Sequence, residues 1–595
     1  MAPLAPGHGA TTMRTHRCGA LRASDVGREV SLGGWVHRRR DLGGLVFVDL
    51  RDREGLVQVA FGPGWSAAEV MERAGTLIGE AVILVKGVVE PRPAGQANPE
   101  LPTGEVEVHA TEVRVVGPAA TPTIPVARVR GEPLAAEELR LRYRYLDLRR
   151  PEMYRNLELR HRLLQRTRRE LSERGFLEIE TPMLTKPTPE GARDFVVPSR
   201  VYPGQFYALP QSPQIYKQLL MVSGFDRYFQ LARCFRDEDQ RADRQLEFTQ
   251  IDLEASFVTP EDIYAVTEGV LVALWAEAGA PVEAPFPRLA YRDAMARYGS
   301  DKPDLRFGLE LMDLTPRIGE GSGEFLRAAV GRGERVRALA VPGGAALSRK
   351  DLDALTAAAK TMRASGLVWA KRGPDGPTGP GVKALGAAAL EALGLGDGDL
   401  GLAVAGPDAI ALPALGRVRL EVIRLLELPP SCRHAFVWIE QFPLFEREAE
   451  TGNLTFMHHP FTAPHPDDAA LVATDPERAR AQHYDAVYNG VELGSGSIRI
   501  TDPAMQAQVF ERLGMAPADV EHRFGWLLEG LRSGAPPHGG IALGFDRIAL
   551  LLAGGESLRE VIAFPKTAAA RALFEGAPTG IPAADLAALH LTVAS

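Results

Sequence analysis

Five short runs of alternating hydrophobic and polar residues occupy the first part of the chain. Because strict alternation sends successive side chains to opposite faces, each run predicts a half-buried β-strand. Glycine and charged residues separate the runs, and five strands within about a hundred residues predict a small closed barrel of the OB type. The runs lie at residues 30–36, 45–50, 56–61, 81–89 and 105–116.

The pattern changes after residues 117–133, a stretch with four prolines that predicts a linker. Leucines then recur every seven residues, which indicates a helix that starts at Pro151 and ends before Gly175. Strands and helices follow without a regular alternation, which predicts an α+β domain built on an antiparallel sheet. Residues 308–425 are rich in alanine and glycine and poor in aromatics, so they predict an inserted α+β domain.

Length and composition place the chain among multidomain globular proteins. A chain of 595 residues exceeds what one hydrophobic core supports, and 45% hydrophobic with 24% charged residues is ordinary for a soluble protein. The chain contains no run of eighteen apolar residues, so no membrane span is predicted. The N-terminus lacks the features of a signal peptide. Cys18, Cys234 and Cys432 are scattered, so neither zinc nor disulfides are predicted and a cytoplasmic location is expected.

The net charge of −8 argues weakly against a nucleic-acid partner. Local clusters matter more, since phosphate contacts act over about 8 Å at physiological salt. Arginines cluster at residues 38–40 and again at 140–150. These clusters predict either phosphate contacts or two solvated basic faces.

Two distant segments carry the strongest chemical signal. Residues 235–238 read Phe-Arg-Asp-Glu, and residues 539–547 form an apolar, glycine-containing run that ends in Arg547. Arginine is a permanently charged planar fork that binds phosphate and carboxylate oxygens in pairs. One such segment alone could be a surface ion pair, but the ordered pair predicts ATP bound by its phosphates and opened at the α-phosphorus.

These segments resemble the second and third signature motifs of the class II aminoacyl-tRNA synthetases, and residues 175–182 resemble the first. More specifically, the chain resembles the bacterial aspartyl-tRNA synthetases over residues 14–566, nearly its whole length. Six further strings carry that resemblance: residues 35–41, 143–150, 188–195, 211–214, 299–307 and 458–462.

The patterns and the resemblance together predict seven segments. In chain order these are a disordered extension at 1–13, an anticodon-binding OB-fold domain at 14–116, a linker or hinge at 117–150, the first part of the catalytic domain at 151–307, the bacterial-type insertion at 308–425, the second part of the catalytic domain at 426–570, and a C-terminal extension at 571–595.

The resemblance implies that the enzyme joins L-aspartate to ATP and then transfers the aspartyl group to tRNA(Asp). It implies that Arg236 bridges the α-phosphate and the substrate carboxylate, and that Arg547 holds the γ-phosphate. Phe248 is expected to stack on the adenine. The residues expected to bind ATP are Arg236, Asp237, Glu238, Gln245, Phe248, Glu492, Gly544, Phe545, Asp546 and Arg547.

Recognition of aspartate is expected to depend on two cations. Arg499 is predicted to hold the substrate side chain in a two-bond fork, and Lys217 to add a point charge. A protonated His458 would strengthen the attraction, and His458 and His459 are expected on opposite faces of a strand, which disfavours a shared metal ion. The aspartate-binding residues implied by the resemblance are Glu190, Gln214, Lys217, Arg236, Asp252, His458 and Arg499.

Asp485 and Glu492 are predicted to bind Mg²⁺, which prefers carboxylate and phosphate oxygens. The spacing is weak evidence alone, and the resemblance strengthens it. Ser495 stands where the family usually has glycine, a departure expected to cost little. No Ser–His or Cys–His pair stands out, and none is required, because the mixed anhydride formed first is already activated.

The resemblance assigns anticodon contacts to Arg40, Phe47 and Gln58 on the barrel. Two positions bear on whether tRNA(Asn) is also charged. Leu42 accompanies strict enzymes of the family and favours discrimination, whereas Gly95 accompanies relaxed ones. The first signature motif also implies a homodimer.

Three alternatives stay open at this point. An asparaginyl or a lysyl enzyme shares the barrel and the three motifs, although a lysyl enzyme should have acids at positions 217 and 499, and an asparaginyl enzyme should lack the insertion. A non-catalytic tRNA-binding relative should have lost Arg236, Arg547 or the two acidic residues.

Overall fold

The computed structural model describes residues 11–128, 131–187, 191–448 and 451–593, which fall into two compact units. The first unit comprises Met1–Arg160, Gln240–Gln245 and Gly555–Ile581, and the second comprises His161–Asp239, Leu246–Gly554 and Pro582–Ser595. Within the described ranges, no helix has both the length and the apolar character needed to cross a bilayer.

A closed five-stranded barrel forms the core of the first unit, and it confirms the predicted OB-type fold. The strands pair in the order β1-β2-β3-β5-β4, and β3 pairs with β5 in parallel. Alternate residues of the strands point inward and form one apolar cluster. The elements are β1 (Glu29–Asp41), β2 (Val46–Asp52), β3 (Gly55–Phe61), α1 (Ala68–Gly75), β4 (Val82–Pro91) and β5 (Val106–Gly117).

Three helices follow the proline-containing stretch: α2 (Glu137–Arg142), α3 (Arg144–Asp147) and α4 (Pro151–Glu173). The last of them begins at the predicted proline, and Gly175 follows it with a φ of +80°, a conformation that glycine adopts without strain. Arg144 is buried and donates to the backbone carbonyls of Arg559, Ile562 and Ala563, which fastens the C-terminal segment of the first unit.

The second unit begins with strands and helices that lead into its main sheet. They are β6 (Leu177–Glu178), β7 (Val196–Pro198), β8 (Phe206–Ala208), α5 (Gln214–Val222), β9 (Arg227–Phe235), β10 (Glu247–Ser256), α6 (Pro260–Glu277), β11 (Arg288–Ala290) and α7 (Tyr291–Tyr298).

The insertion is a second sheet between two layers of helices. Its strands pair in the order β12-β13-β16-β14-β15, and α9 and α12 pack on one face while α8, α10 and α11 pack on the other. The elements are β12 (Leu311–Asp313), α8 (Glu324–Gly331), β13 (Arg335–Val341), α9 (Arg349–Thr361), β14 (Val368–Gly373), β15 (Gly376–Thr378), α10 (Pro380–Leu385), α11 (Ala387–Leu393), β16 (Leu400–Gly406) and α12 (Asp408–Leu425).

The chain then returns to the main sheet. The remaining elements are β17 (Phe436–Glu440), β18 (Phe445–Arg447), β19 (Leu454–Phe456), α13 (Leu471–Thr474), β20 (His483–Tyr488), β21 (Val491–Ile498), α14 (Pro503–Arg512), α15 (Pro517–Arg532), β22 (His538–Gly544), α16 (Phe545–Ala553) and α17 (Ala583–Ala588).

Eight strands form the main sheet in the order β11-β17-β20-β21-β22-β10-β9-β6. The six central strands are antiparallel, as predicted, and the two edge strands β11 and β6 pair in parallel. The order brings β9 and β10, which carry the 235–250 region, beside β22, which leads into Arg547. Segments about three hundred residues apart are therefore neighbours in one sheet.

Candidate active site

One face of the main sheet collects the polar residues of the site. Residues directly opposite each other on neighbouring strands point to the same face. Asp252 lies opposite Ala542, Ala542 opposite Ser495, and Ser495 opposite Asp485. The small side chain of Ala542 on β22 leaves open space on this face between Asp252 of β10 and Asp485 of β20.

Glu254 organises the buried charges of this face. Arg499 donates to both of its carboxylate oxygens, at 2.8 and 3.0 Å, and Lys217 lies 3.2 Å from the second oxygen. Arg499 and Lys217 are only 3% and 1% exposed. Glycine is required at position 540 on β22, because a Cβ there would lie 2.1 Å from the Glu254 carboxylate.

This arrangement corrects the expected geometry of Arg499. Its Nε and one Nη, the fork that was predicted to hold the substrate, are occupied by Glu254. The other Nη donates to His459 at 2.6 Å and to Ser497 at 2.5 Å. Four of its five N–H groups are therefore engaged, and a substrate carboxylate would approach from the Nη side and compete with His459 and Ser497.

The pKa values of the two acids beside Lys217 are shifted in opposite directions. Burial raises the pKa of Asp252 to about 6, because its one strong partner is the Lys217 ammonium, 3.0 Å away. Burial also acts to raise the pKa of Glu254, but the charges of Arg499 and Lys217 outweigh it and lower the value to about 2. Asp252 keeps one buried carboxylate oxygen, Oδ1, without a hydrogen bond, and that oxygen suits the ammonium of an amino acid.

The histidines differ from their prediction in two respects. His458 and His459 lie in an irregular segment after β19 rather than on a strand. Their ring centroids are 4.1 Å apart, so the two side chains do not point to opposite faces. Burial holds the pKa of His458 well below its usual value, and the nearby His459, His483, Arg499 and Lys217 lower it further. This shift favours the neutral ring of His458, so the added attraction expected from a protonated ring is not favoured in the ligand-free protein.

Arg236 follows β9 and lies over the ring of Phe248, with the guanidinium carbon 5.1 Å from the ring centroid. Its backbone N–H donates to Leu246, and its side-chain Nε is buried without a hydrogen-bond partner. A buried donor of this kind is the expected fit for a phosphate oxygen. Asp237 pairs through its backbone with Arg193, and Glu238 follows it in a bend.

The start of α16 is fastened to the two neighbouring strands. Asp546 accepts a hydrogen bond from the backbone of Thr249 at 2.7 Å, and Arg547 donates to the carbonyl of Glu492 at 2.6 Å. Phe545 is buried and Gly544 ends β22. The region expected to bind ATP on α16 is thereby fixed to β10 and β21.

A β-bulge places the two predicted magnesium ligands on one side. The pairing of β20 with β21 skips Leu493, so Glu492 faces the same side of the sheet as Asp485. Burial raises the pKa of Glu492, and the charge of Asp485 raises it further. A divalent cation would relieve this repulsion, so the pair fits Mg²⁺.

Across the parts of the chain that the structure describes, no group of three or more histidine, cysteine, aspartate or glutamate side chains could hold a metal ion by itself. The remaining oxygens around Mg²⁺ would come from substrate phosphates and water, which is how this ion is commonly held.

The barrel brings its three predicted contacts to one face. Arg40 on β1 lies opposite Phe47 on β2, with the guanidinium carbon 6.0 Å from the ring centroid. Arg40 also donates to Asp49 at 2.8 Å and to Gln58 at 3.1 Å. Gln58 donates in turn to Glu107 at 2.6 Å, so its amide is oriented before any base is bound.

Comparison with known proteins shows the family of the chain. Residues 136–568 match the model of the class II tRNA synthetases (D, K and N), and residues 30–116 match that of the OB-fold nucleic acid binding domain. An aspartate–tRNA(Asp/Asn) ligase of Anoxybacillus flavithermus and an aspartate–tRNA ligase of Bacillus licheniformis are each 48% identical over 586 residues, which is 98% of this chain and 98% of each relative. This chain belongs to the aspartate–tRNA ligase family.

The fold is also that of a solved class II synthetase. The asparaginyl-tRNA synthetase from Pyrococcus horikoshii complexed with asparaginyl-adenylate superposes with a TM-score of 0.58 at 19% identity, covering 93% of this chain and 98% of that one. At this identity the likeness extends to the fold alone. The predicted family is confirmed by the aspartate–tRNA ligases of Anoxybacillus flavithermus and Bacillus licheniformis.

Three residues that contact the predicted site residues were missed from the sequence. Glu254 lies two positions after Asp252 on the same strand, so strand alternation could have identified it. His459 was considered only as the second half of a metal pair with His458, and His483 had no motif to mark it. Of the predicted residues, Glu190 lies outside the described residues, and Gln245 lies in the first unit, where its amide bonds twice with the backbone of Lys566.

The buried histidines predict a loss of stability in mild acid. Their pKa values lie well below 6.5 in the folded protein, His458 by burial and His459 by burial and the adjacent Arg499. Below pH 6.5 the unfolded chain takes up protons that the folded one cannot, so stability falls by about 1.4 kcal/mol per pH unit for each histidine. Asp252, which takes up a proton in the folded state near pH 6, opposes one of the two at lower pH.

Thermal unfolding of the ligand-free protein from pH 7.5 to 5.5 should show this decline, and His459→Asn should make it shallower. An equal decline in that variant would contradict the assignment of the titration to the buried pair.

Proposed function

We propose that this protein activates L-aspartate with ATP, forming aspartyl-adenylate and pyrophosphate, and transfers the aspartyl group to the terminal adenosine of tRNA(Asp). The observation that carries the proposal is the convergence of Lys217 and Arg499, both buried, on Glu254. A substrate carboxylate placed there meets two cations, whereas the ammonium of lysine would be repelled. The membership of the aspartate–tRNA ligase family supports the same reaction.

The proposed roles follow the positions in the sheet. Arg236 binds the α-phosphate and the reacting carboxylate, Phe248 stacks on the adenine, and Arg547 binds the γ-phosphate. Asp252, with Gln214 at the start of α5, faces the substrate ammonium. Fixed positive charge and positioning supply most of the catalysis in such displacements, because two anions must be held in line.

Magnesium would be held by Asp485 and Glu492 together with the phosphates of ATP. When bound, it would neutralise phosphate charge in the departing pyrophosphate. The protein's part is to keep both carboxylates on one side of the sheet, which the bulge at Leu493 does.

Exchange of pyrophosphate into ATP tests this function. Exchange is expected with aspartate and not with asparagine or lysine, because polar sites reject analogues that leave a charge unpaired, by up to about 10⁴–10⁵. Exchange driven by asparagine or lysine would replace the proposed substrate. Absence of exchange with all three would favour a non-catalytic tRNA-binding protein.

The tRNA partner is proposed to be tRNA(Asp) alone. Leu42 is 64% exposed just after β1, beside the basic end of that strand, where an anticodon can reach it. Gly95 has a φ of +80° with no atom within 4 Å of a Cβ placed on it, so the loop there is open. Charging assays with purified tRNA(Asp) and tRNA(Asn) decide the point, and aspartylation of both would assign the chain to the relaxed enzymes.

The anticodon site yields a separate prediction. Phe47→Ala should weaken tRNA binding by about 1–3 kcal/mol, roughly 5- to 150-fold in KM for tRNA, because one stacking platform is lost. Pyrophosphate exchange should be unchanged. Val116→Ala removes an exposed apolar side chain from β5 and serves as the control. Equal effects of the two variants on aminoacylation would contradict a specific contact.

We also propose a homodimer that works in the cytoplasm. Edge strand β6 and the segment after it expose large apolar side chains at Leu177, Met183 and Leu184, which suit a second copy of the chain. Sedimentation of Leu177→Lys should show more monomer than the unmodified protein. Cys18, Cys234 and Cys432 form no disulfide with one another, in agreement with a reducing compartment.

A further inference from the structure

His483 lies at the start of β20, buried, and contacts one of the proposed magnesium ligands. Its Nε2 is 2.9 Å from the Asp485 carboxylate and 2.8 Å from the Ser495 hydroxyl. Asp485 lies two residues along the same strand, and Ser495 lies directly opposite Asp485 on β21. The three side chains therefore share the face of the sheet that carries the site.

The hydrogen-bond chemistry fixes the form of the ring. An ionised carboxylate only accepts, so Nε2 must carry the proton and donate toward Asp485, with the Ser495 oxygen sharing the same N–H. The other ring nitrogen, Nδ1, is buried without a partner. In a Ser-His-Asp nucleophile, the serine and the acid contact different ring nitrogens, so these three residues do not form one. The sequence had not predicted a Ser–His pair.

Two aromatic rings pack against His483, one on each side. Phe442 stacks at 4.0 Å between ring centroids, and His458 stacks at 4.3 Å with an interplanar angle of 8°. The rings of Phe442 and His458 are tilted by 28° and 8° to the His483 ring, and at these distances they are too close to share one of its faces, so they lie on opposite faces. The direction of its N–H is thus set by packing, before any ligand binds.

Asp485 needs such a support. Glu492 faces the same side of the sheet, so the two carboxylates repel each other. Without a partner, Asp485 would rotate away from its neighbour. Groups that hold a ligating carboxylate tune metal affinity, and their loss commonly costs about 10–100-fold.

We propose that His483 and Ser495 are positioning residues that hold Asp485 in the orientation that binds the divalent cation accompanying ATP. The proposal rests on the function proposed above. It gives Ser495, which departs from the glycine usual in the family, a role in this chain. It also links the cation site to the aspartate pocket, because His458 stacks on His483 and contacts His459, which accepts from Arg499.

Two substitutions distinguish the effect of the His483 N–H group from the effect of its ring stacking. His483→Phe keeps the stack and removes the donor, whereas His483→Gln removes the stack and keeps an N–H where Nε2 lies. Binding of Mn²⁺ to the protein without nucleotide, measured by the loss of the ion's free EPR signal, is expected to weaken about 10–100-fold in the phenylalanine variant. It should stay close to the unmodified value in the glutamine variant.

The opposite order, with the phenylalanine variant binding Mn²⁺ normally and the glutamine variant not, would show that packing alone matters and overturn the proposal. Ser495→Gly should weaken Mn²⁺ binding less than His483→Phe, and the double variant should be no weaker than His483→Phe alone. Additive losses would contradict a shared action on Asp485. KM for aspartate should move less than the Mn²⁺ affinity in each variant.

His434→Phe is the matched control, because His434 bonds to Tyr488 on the same strand and faces no proposed ligand. Melting temperatures verify that each variant is folded. Normal exchange in the unmodified enzyme with unchanged Mn²⁺ binding in His483→Phe would overturn this inference alone. Absence of aspartate-dependent exchange in the unmodified enzyme would overturn the proposed function instead.

Discussion

Replacing Arg499 by methionine is expected to lower kcat/KM for aspartate in pyrophosphate exchange by about 30- to 5,000-fold. The estimate corresponds to about 2–5 kcal/mol, the usual cost of truncating one member of a buried, hydrogen-bonded charge pair. Two effects combine in it. The substrate carboxylate loses a cation, and Glu254 keeps only Lys217 as a charged partner.

Arg419→Met separates these effects from the general cost of losing a buried arginine. Arg419 in the insertion is 1% exposed and donates only to backbone carbonyls, of Asp304, Phe307 and Leu309. Its variant should lose stability while keeping kcat/KM per folded molecule. If both variants lose activity equally, the special role of Arg499 is refuted. Discrimination against asparagine should also collapse in Arg499→Met and persist in Arg419→Met.

Arg236→Ala is expected to lower kcat for aspartate activation by about 10²–10³-fold, the usual effect of removing one preorganised group from a developing anion. The buried Nε of Arg236, which has no hydrogen-bond partner, is the reason to expect a direct contact with phosphate. Arg236→Lys should recover only part of the rate, because it restores the charge and not the planar fork. Single-turnover pyrophosphate release measures the step.

Arg233→Ala is the matched control for that variant. Arg233 lies three residues earlier on β9, is partly exposed and pairs with Glu247 at 2.6 Å. Exposed pairs contribute little, so its rate should stay near that of the unmodified enzyme. A full rate in Arg236→Ala, or a loss in Arg233→Ala as large as in Arg236→Ala, would remove Arg236 from its proposed role.

Local patterns predicted much of the fold. Strand alternation identified all five barrel strands, because inward-facing positions of the strands are apolar, although β3 has both faces buried over residues 57–61. Pro151 and Gly175 marked the ends of a helix, since each residue has a backbone preference that suits that position. The antiparallel centre of the main sheet followed from the irregular order of strands and helices.

The parts that could not be predicted depend on contacts between distant segments. Leu493 is skipped in the pairing of two strands, and nothing in the local sequence shows that the skip turns Glu492 toward Asp485. Glu254 belongs to a strand that reads as apolar and acidic, but its significance comes from Arg499, 245 residues away. A motif names the residues that meet a substrate, and it does not show which neighbours already occupy them.

The histidines illustrate the same limit. From the sequence, His458 and His459 were assigned to a strand, and the turn that brings their rings to 4.1 Å is a tertiary effect. Their neutral state follows from burial beside Arg499 and Lys217, which requires the folded arrangement. Residue type alone predicted the chemistry of the pocket, whereas charge state and orientation came from packing.

The most direct test of the account is a crystal structure with a non-hydrolysable aspartyl-adenylate analogue. The account predicts the analogue's side-chain carboxylate within hydrogen-bond distance of Arg499 on its Nη side and near Lys217, with Arg236 on the phosphorus oxygens. It also predicts that Arg499 keeps its two bonds to Glu254. An analogue bound with its carboxylate elsewhere, and Arg236 and Arg499 in separate pockets, would contradict it.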